Sequence, residues 1–364
     1  MAESKHRGRV LVAMSGGVDS SVAAALLQEQ GYDVYGATMR LWASETADER
    51  AGGCCSLASV EDARRVAHRL GIPFYVLNFR DAFRTQIVEQ FIAEYKAGRT
   101  PNPCIACNRH MKFDLFLQKA LALGLDYIAT GHYARRVCDD SGRCWIEKAA
   151  DEHKDQTYAL YNIKPEQLAH ILFPLGDLRK DEVREVARRY HLPTAEKEES
   201  QEICFIPDND YRRWLSDEVG LPSQPGNIVN RAGQVLGQHT GIYNFTIGQR
   251  RGLGIVYEEP LYVIAIRPEQ NEVVVGTRDE VWSYSLLADD VNLLYWPCTD
   301  SDPPLAAKIR YSAAEVPCEI ELLPDRQMRV FFQQPVRAAT PGQAVVVYAG
   351  RKVVGGGTIQ RIIE

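Results

Sequence analysis

The chain lacks any apolar run near the ~20 residues that a membrane-crossing helix needs, so a transmembrane helix is not expected. It has no internal repeat and no low-complexity tract, which rules out a repeat array. It has no basic excess either. Forty-two Lys and Arg stand against 48 Asp and Glu, a net charge of −6, which leans against a dedicated nucleic-acid coat. Local arginine pairs such as Arg64-Arg65, Arg135-Arg136 and Arg250-Arg251 still allow a basic face on one side. The opening MAESKHRGRVLVAM is charged and holds only a short apolar stretch, which reads as excluding a secretory signal. Nine cysteines without an export signal are expected as reduced thiols in the cytoplasm. What is present is ordinary for a globular protein: 45% hydrophobic and 25% charged residues over 364 positions. That length suggests two or three domains.

The first half alternates strand and helix patterns. Residues 9–14 read as a short buried strand, followed by Val18, Val22, Ala25 and Leu26 on one helical face. Residues 33–39 read as a strand, and Val60, Ala63, Ala67 and Leu70 as a helix stopped by Gly71 and Pro73. A strand at 74–77, helices around Phe83–Tyr95 and Phe113–Leu121, and a strand at 127–130 continue the series. The pattern predicts an α/β fold with a doubly wound, mostly parallel sheet. Its ligands belong beyond the carboxyl ends of the strands, in the loops after Met14, Met39 and Thr130. Residues 206–230 are rich in Pro, Gly, Asn and Asp and read as a linker or small irregular domain. Residues 262–266 and 272–275 read as a hairpin. Evenly spaced strands at 308–311, 318–322, 328–332, 344–348 and 358–363 predict a C-terminal antiparallel β-barrel. The expected domains are 1–205, 206–280 and 281–364.

The strongest local signal is Ser15-Gly16-Gly17-Val18-Asp19-Ser20-Ser21, between a strand and a helix. Two glycines let the backbone turn tightly and expose successive N–H groups, and the helix start favours a phosphate chain. Serine hydroxyls add donors, and Asp19 can hold Mg2+ or cap the helix. No Gly-Lys-Ser/Thr follows, so this is not a Walker A loop.

Cys104 and Cys107 stand three apart in TPNPCIACN, ahead of Lys112 and Phe113, and Cys204 lies in ESQEICF. The CxxC pair alone admits a zinc site, a redox pair or a nucleophile. Zinc is disfavoured because no second CxxC or HxxxH supplies the remaining ligands. Cys54 and Cys55 read as structural or loop thiols, and Cys138, Cys144, Cys298 and Cys318 as packing residues.

SGGVDS resembles the signature of the PP-loop ATP pyrophosphatases (adenine nucleotide alpha hydrolase-like fold). With RTPNPCIACNRHMKF, YIATGHYAR, KDQTYAL, ESQEICFI, TIGQRRGLG, KIRYS and PGQAVVVY, the chain resembles the MnmA/TrmU family of tRNA-specific 2-thiouridylases over nearly its whole length. The resemblance implies ATP-dependent 2-thiolation of the wobble uridine in tRNAs for Lys, Glu and Gln, with a sulfur-donor protein as second partner. It implies that Ala13, Met14, Ser15, Gly16, Gly17, Val18, Asp19 and Ser20 bind ATP, with Met39 and Gly131 at the adenosine. Asn102, Pro103 and Cys104 correspond to the segment that meets the target base. Cys107 corresponds to the nucleophile and Cys204 to the persulfide carrier, the two forming a disulfide during the cycle. His132, Lys154, Asp155, Gln156, Arg310, Tyr311 and Gln343 correspond to tRNA contacts. Many members have Asp where Cys104 stands. This departure raises a further expectation, that Cys104, Cys107 and Cys204 ligate a 4Fe-4S cluster. The rival readings are a PP-loop ligase with a nitrogen nucleophile, which offers no use for paired cysteines, and a non-catalytic RNA-binding iron–sulfur module.

Overall fold

The structure, a computed structural model, describes residues 7–42, 57–198, 203–206, 208–296 and 302–363. Cys54, Cys55, Cys298 and the 199–202 part of the ESQEICF segment lie outside the described residues. Two compact units divide the chain. Unit 1 comprises 1–87, 104–209 and 351–353, and unit 2 comprises 88–103, 210–350 and 354–364.

Unit 1 is built on the expected parallel sheet. Its strands are β1 (Arg9–Ala13), β2 (Asp33–Arg40), β3 (Phe74–Asn78), β4 (Tyr127–Ala129) and, beyond the hairpin of β5 (Ala134–Cys138) and β6 (Cys144–Lys148), β7 (Ile171–Leu172). The order is β3-β2-β1-β4-β7, with every pair parallel. Val10, Leu11 and Val12 are wholly buried, because the central strand of a parallel sheet is covered on both faces. Val10, Val12, Val22, Ala63 and Val66 share one core. Helix α1 (Val18–Glu29) buries Ala23, Ala24 and Leu27 as well as Val18, Val22 and Ala25 of the expected stripe, while Leu26 is only half-buried. It packs against the sheet, against α2 (Leu57–Leu70) and against the helix Lys180–Arg189, so little of it faces water. Helix α2 ends as predicted. Gly71 adopts the left-handed φ of +68°, and the Ile72 N–H returns to the Ala67 carbonyl at 3.0 Å.

β1 has β2 on one side and β4 on the other, so the chain leaves their carboxyl ends in opposite directions. That divergence opens the crevice in which α/β sheets bind ligands. The Gly-rich loop follows β1, and Gly131-His132 follows β4. The helix that begins at Pro103 runs to Ala122 and carries a wide-turned π stretch at Asn108–Leu115.

The hairpin β5–β6 was absent from the sequence reading, and it corrects one expectation. Cys138 and Cys144 are not packing thiols: they are joined in a disulfide. They are directly opposed at the last register position of the hairpin, across the short turn 139–143. Cross-strand neighbours at such a position come within bonding range.

Unit 2 holds two β assemblies. A four-stranded sheet has the order β10-β11-β8-β9, from β8 (Gly226–Asn230), β9 (Val235–His239), β10 (Tyr262–Arg267) and β11 (Glu272–Gly276). The predicted hairpin is β10–β11, turned at Asn271 with φ +51°. Part of the expected linker is therefore strand β8, pinned by the wholly buried Ile228. The barrel comprises β12 (Trp282–Leu293), β13 (Leu305–Lys308), β14 (Val316–Leu323), β15 (Gln327–Arg337), β16 (Ala344–Ala349) and β17 (Lys352–Ile363). They run β12-β15-β14-β13-β16-β17, and β17 pairs back onto β12, closing the cylinder around Leu286, Val330, Val345 and Val354. β12 was not expected from the sequence. The strand expected at 308–311 ends instead at Lys308, leaving Arg310 and Tyr311 in the following turn.

Candidate active site

The loop after β1 is held open by its own side chains. Thr38 of β2 donates its hydroxyl to the Met14 carbonyl at 2.7 Å, fixing where β1 ends. The Ser15 N–H donates to Ser20 Oγ at 3.2 Å, and Ser20 and Ser21 donate their hydroxyls to the Gly17 carbonyl at 3.2 and 2.8 Å. Gly16 has φ +73°, and a Cβ there would lie 2.2 Å from the Ser59 carbonyl oxygen in α2, so no other residue fits. Gly17 is the N-cap of α1 and brings no side-chain cap, which leaves first-turn N–H groups for an anion. Asp19 does not cap the helix, against one of the two expectations for it.

Asp19 is instead engaged from two distant segments. Its Oδ1 accepts from the Tyr133 hydroxyl at 2.9 Å and from Lys180 Nζ at 2.7 Å. Oδ2 takes no donor among the described residues, and the side chain is 29% exposed, so an oxygen suited to Mg2+ remains open. On the other flank Lys197 Nζ donates to the Gly16 carbonyl at 3.0 Å and to Asp62 Oδ2 at 2.6 Å. Burial raises the Asp62 carboxyl, but hydrogen bonds and charge from Lys197 and Arg65 outweigh it and hold the pKa below the ordinary value. Lys180 and Lys197 thus set two cations beside a phosphate loop that has no lysine of its own. Sequence reasoning missed both, and Tyr133 with them.

Gly131 closes the loop from the β4 side. A Cβ there would stand 2.7 Å from the Ser20 nitrogen and 2.8 Å from the Asp19 carbonyl carbon. His132 follows. Its Nδ1 lies 2.8 Å from Thr130 Oγ1 and its Nε2 3.5 Å from Lys112 Nζ. Desolvation between Phe113 and Phe173, then the Lys112 charge, keeps its pKa well below the ordinary histidine value. Of the other expected tRNA contacts in unit 1, Gln156 exchanges hydrogen bonds with the Tyr133 backbone. Asp155 accepts from Ala149 N–H at 2.9 Å and from the Thr157 hydroxyl at 2.6 Å. Lys154 donates its backbone N–H to Asp151, whose carboxyl is raised by burial but lowered further by three backbone N–H donors. Met39 lies in β2, beside the strand that leads into the loop.

Cys104 is exposed, Cys107 buried and Cys204 half-buried, and none of the three is in a disulfide. Cys107 ends the first helical turns after Pro103, and its segment is braced twice. Asn108 Nδ2 donates to the Ala159 carbonyl at 2.8 Å, and Asn162 Nδ2 to the Ile105 carbonyl at 3.4 Å. Among the described residues no three His, Cys, Asp or Glu side chains converge as a metal site. The 4Fe-4S cluster expected on Cys104, Cys107 and Cys204 is therefore not shown by the described residues.

Asn102, Pro103, Arg310, Tyr311 and Gln343 belong to unit 2. Gln343 Nε2 donates to the Thr100 carbonyl at 2.8 Å, and the Thr100 N–H donates to the Pro341 carbonyl at 2.9 Å, so the barrel grips the segment just before Asn102. Arg310 donates to the Arg337 and Ala338 carbonyls. Tyr311 is exposed.

Comparison with known proteins places this arrangement. The tRNA methyl transferase HUP domain family matches residues 8–208, its PRC-barrel domain 217–277, and an aminomethyltransferase β-barrel domain 283–359. The tRNA-specific 2-thiouridylase MnmA of Carboxydothermus hydrogenoformans is 54% identical over 98% of each chain. That of Moorella thermoacetica is 52% identical over 97% of this chain and 100% of its own. A solved 4-thiouridine synthetase–RNA complex with bound ATP is 18% identical over 56% of this chain and 46% of its own, with a TM-score of 0.37, too low to support an inference. The end-to-end identity leaves no ambiguity: the chain belongs to the MnmA family of tRNA-specific 2-thiouridylases.

Proposed function

We propose that this chain replaces O2 of the wobble uridine in tRNAs for Lys, Glu and Gln by sulfur, at the expense of ATP. The observation that carries the reading is a phosphate-ready loop in the same compact unit as Cys107 and Cys204, in a chain matched end to end by 2-thiouridylases. Those relatives are named for thiolation, which favours sulfur over nitrogen as the nucleophile.

The residues divide the work. The N–H groups of 15–20 and the Ser15 and Ser20 hydroxyls hold the triphosphate, with Met39 and Gly131 at the adenosine. Asp19 offers Oδ2 to Mg2+, which when bound neutralises phosphate charge. Asn102, Pro103 and Cys104 meet the target base, which must leave its stack to reach them. The remaining contacts to tRNA come from His132, Lys154, Asp155, Gln156, Arg310, Tyr311 and Gln343. Uracil O2 attacks the α-phosphate, pyrophosphate leaves, and C2 becomes electrophilic. The terminal sulfur of a Cys204 persulfide, loaded by a sulfur-donor protein, attacks C2, and AMP departs with the C2–O2 electron pair. The Cys107 thiolate then attacks the Cys204 sulfur, which frees 2-thiouridine and leaves a Cys107–Cys204 disulfide to be reduced for the next turnover. A cycle that ends in a disulfide needs a reductant, which favours a cytoplasmic setting.

Cys204→Ser tests the assignment. Thiolation is expected to vanish while tRNA affinity stays within about 2-fold, read by thiouridine formation and filter binding. Retained thiouridine contradicts the role of Cys204.

A further inference from the structure

Lys112 is not among the residues assigned above, and its surroundings are unusual. It sits in the π stretch that follows Cys107, half-buried, and the one polar group it reaches among the described residues is His132 Nε2 at 3.5 Å. No carboxylate pairs with it there. A half-buried ammonium without a counter-ion is costly unless an anion arrives. Its neighbour cannot supply one. The neutral imidazole accepts from Lys112 at Nε2 and so carries its own hydrogen on Nδ1, donated to Thr130 Oγ1. That chain orients the lysine and leaves it two further N–H donors.

The position is as telling as the charge. His132 follows Gly131, whose Cα packs on Ser20 and Asp19 of the phosphate loop. Lys112 itself lies on the helical segment that carries Cys107. Through His132 the ammonium thus links the segment that carries Cys107 to the residue that closes the phosphate loop.

Resting on the thiolation reading above, we propose that Lys112 is a further catalytic residue that holds a phosphoryl oxygen of AMP as it leaves uracil C2. In that step the C2–S bond forms and the C2–O2 bond breaks, with the electron pair passing to AMP. The phosphate goes from a diester with one negative charge to a monoester with two. A fixed cation at the place where charge grows acts on the transition state more than on the bound reactant, and losing such a group costs roughly 100- to 1,000-fold in rate.

The test uses the full-length enzyme with Lys112→Met and Lys112→Arg. In a single turnover with tRNA, ATP and persulfide, Lys112→Met is expected to release pyrophosphate at close to the normal rate. It should form thiouridine about 100-fold more slowly and accumulate adenylated tRNA visible by mass spectrometry, and Lys112→Arg should recover part of the loss. Calorimetry of binding without tRNA is the independent arm. Lys112→Met should lose affinity for AMP by 10-fold or more while binding adenosine as wild type does. Equal loss of both steps, a thiouridine rate within 3-fold of wild type, or equal effects on AMP and adenosine overturns the proposal. So does a parallel fall in tRNA affinity, which would put an RNA phosphate at this lysine. A wild-type enzyme that binds AMP through Lys112 yet makes no thiouridine would instead fault the thiolation reading.

Discussion

Gly131→Ala isolates the link between fold and nucleotide binding, because it adds one methyl group and no charge. The new Cβ would lie 2.7 Å from the Ser20 nitrogen and 2.8 Å from the Asp19 carbonyl carbon, both backbone atoms. Against ordinary contact near 3.4 Å the overlap is roughly 0.7 Å, and no flexible side chain can absorb it. Overpacking of this kind costs about 1–3 kcal/mol, against a typical domain stability of about 5–15 kcal/mol, so the protein stays folded. The strain is relieved by pushing the start of α1 away from β4, since Ser20 and Asp19 belong to its first turn. A displacement of about 1 Å in groups that position a reacting phosphate is enough to lower turnover about 100-fold. ATP affinity by calorimetry, AMP formation and urea denaturation would be measured on the same preparation. The expected pattern is a modest stability loss with a disproportionate loss of AMP formation. A folded variant with unchanged ATP affinity and AMP formation would refute the placement of the nucleotide between this loop and Gly131.

Three further outcomes follow from the structure. Lys180→Met leaves the Asp19 carboxylate with the Tyr133 hydroxyl alone and should cost about 1–3 kcal/mol; Asp19→Asn in the same background should recover part of it, and additive effects in a denaturation cycle would contradict the pairing. The Cys138–Cys144 disulfide closes a small loop, so Cys138→Ser or a reductant should lower stability by about 2 kcal/mol, with no further effect of reductant on the variant; a melting curve insensitive to both would contradict the bond. His132 should stay neutral below the ordinary value of 6.5, because folding lowers its pKa. The unfolded chain then binds a proton that the folded chain refuses. Stability on this account is full above pH 6.5 and falls by up to about 1.4 kcal/mol per unit as pH drops below it, until the folded pKa is reached. A normal His132 titration near 6.5 by NMR would contradict it.

Much of unit 1 was legible because its signals are local. The strand-to-helix alternation, the loop glycines and the Gly71 stop each declare themselves within a few residues. The crevice followed from topology once the loops after β1 and β4 were in view. What stayed hidden is long-range. Lys180 and Lys197 lie 161 and 181 positions from the loop atoms they bind, and a lysine in a charged segment looks like any solvated lysine. Tyr133 reaches Asp19 across 114 positions. The Cys138–Cys144 pair did carry a local trace, two cysteines flanking Asp139-Asp140-Ser141-Gly142-Arg143, but the expectation of reduced thiols overrode it. β12 escaped because its alternation is broken by bulges where it changes partners. β8 escaped because Pro225, Gly226 and Asn227 mask the buried Ile228 and Val229. Thiol convergence is long-range in the same way: three cysteines in sequence motifs do not reveal whether their sulfurs meet, and no such metal group stands among the described residues.

The central claim, that a nucleotide bound at the Gly16-Gly17 loop activates a tRNA uracil for sulfur from Cys204, is tested most directly by nucleoside mass spectrometry. Unmodified tRNA would be incubated with the purified enzyme, ATP, Mg2+, a persulfide source and a reductant. The account predicts 2-thiouridine at the wobble position, with one AMP and one pyrophosphate formed for each sulfur transferred. Unmodified wobble uridine together with no AMP would contradict it.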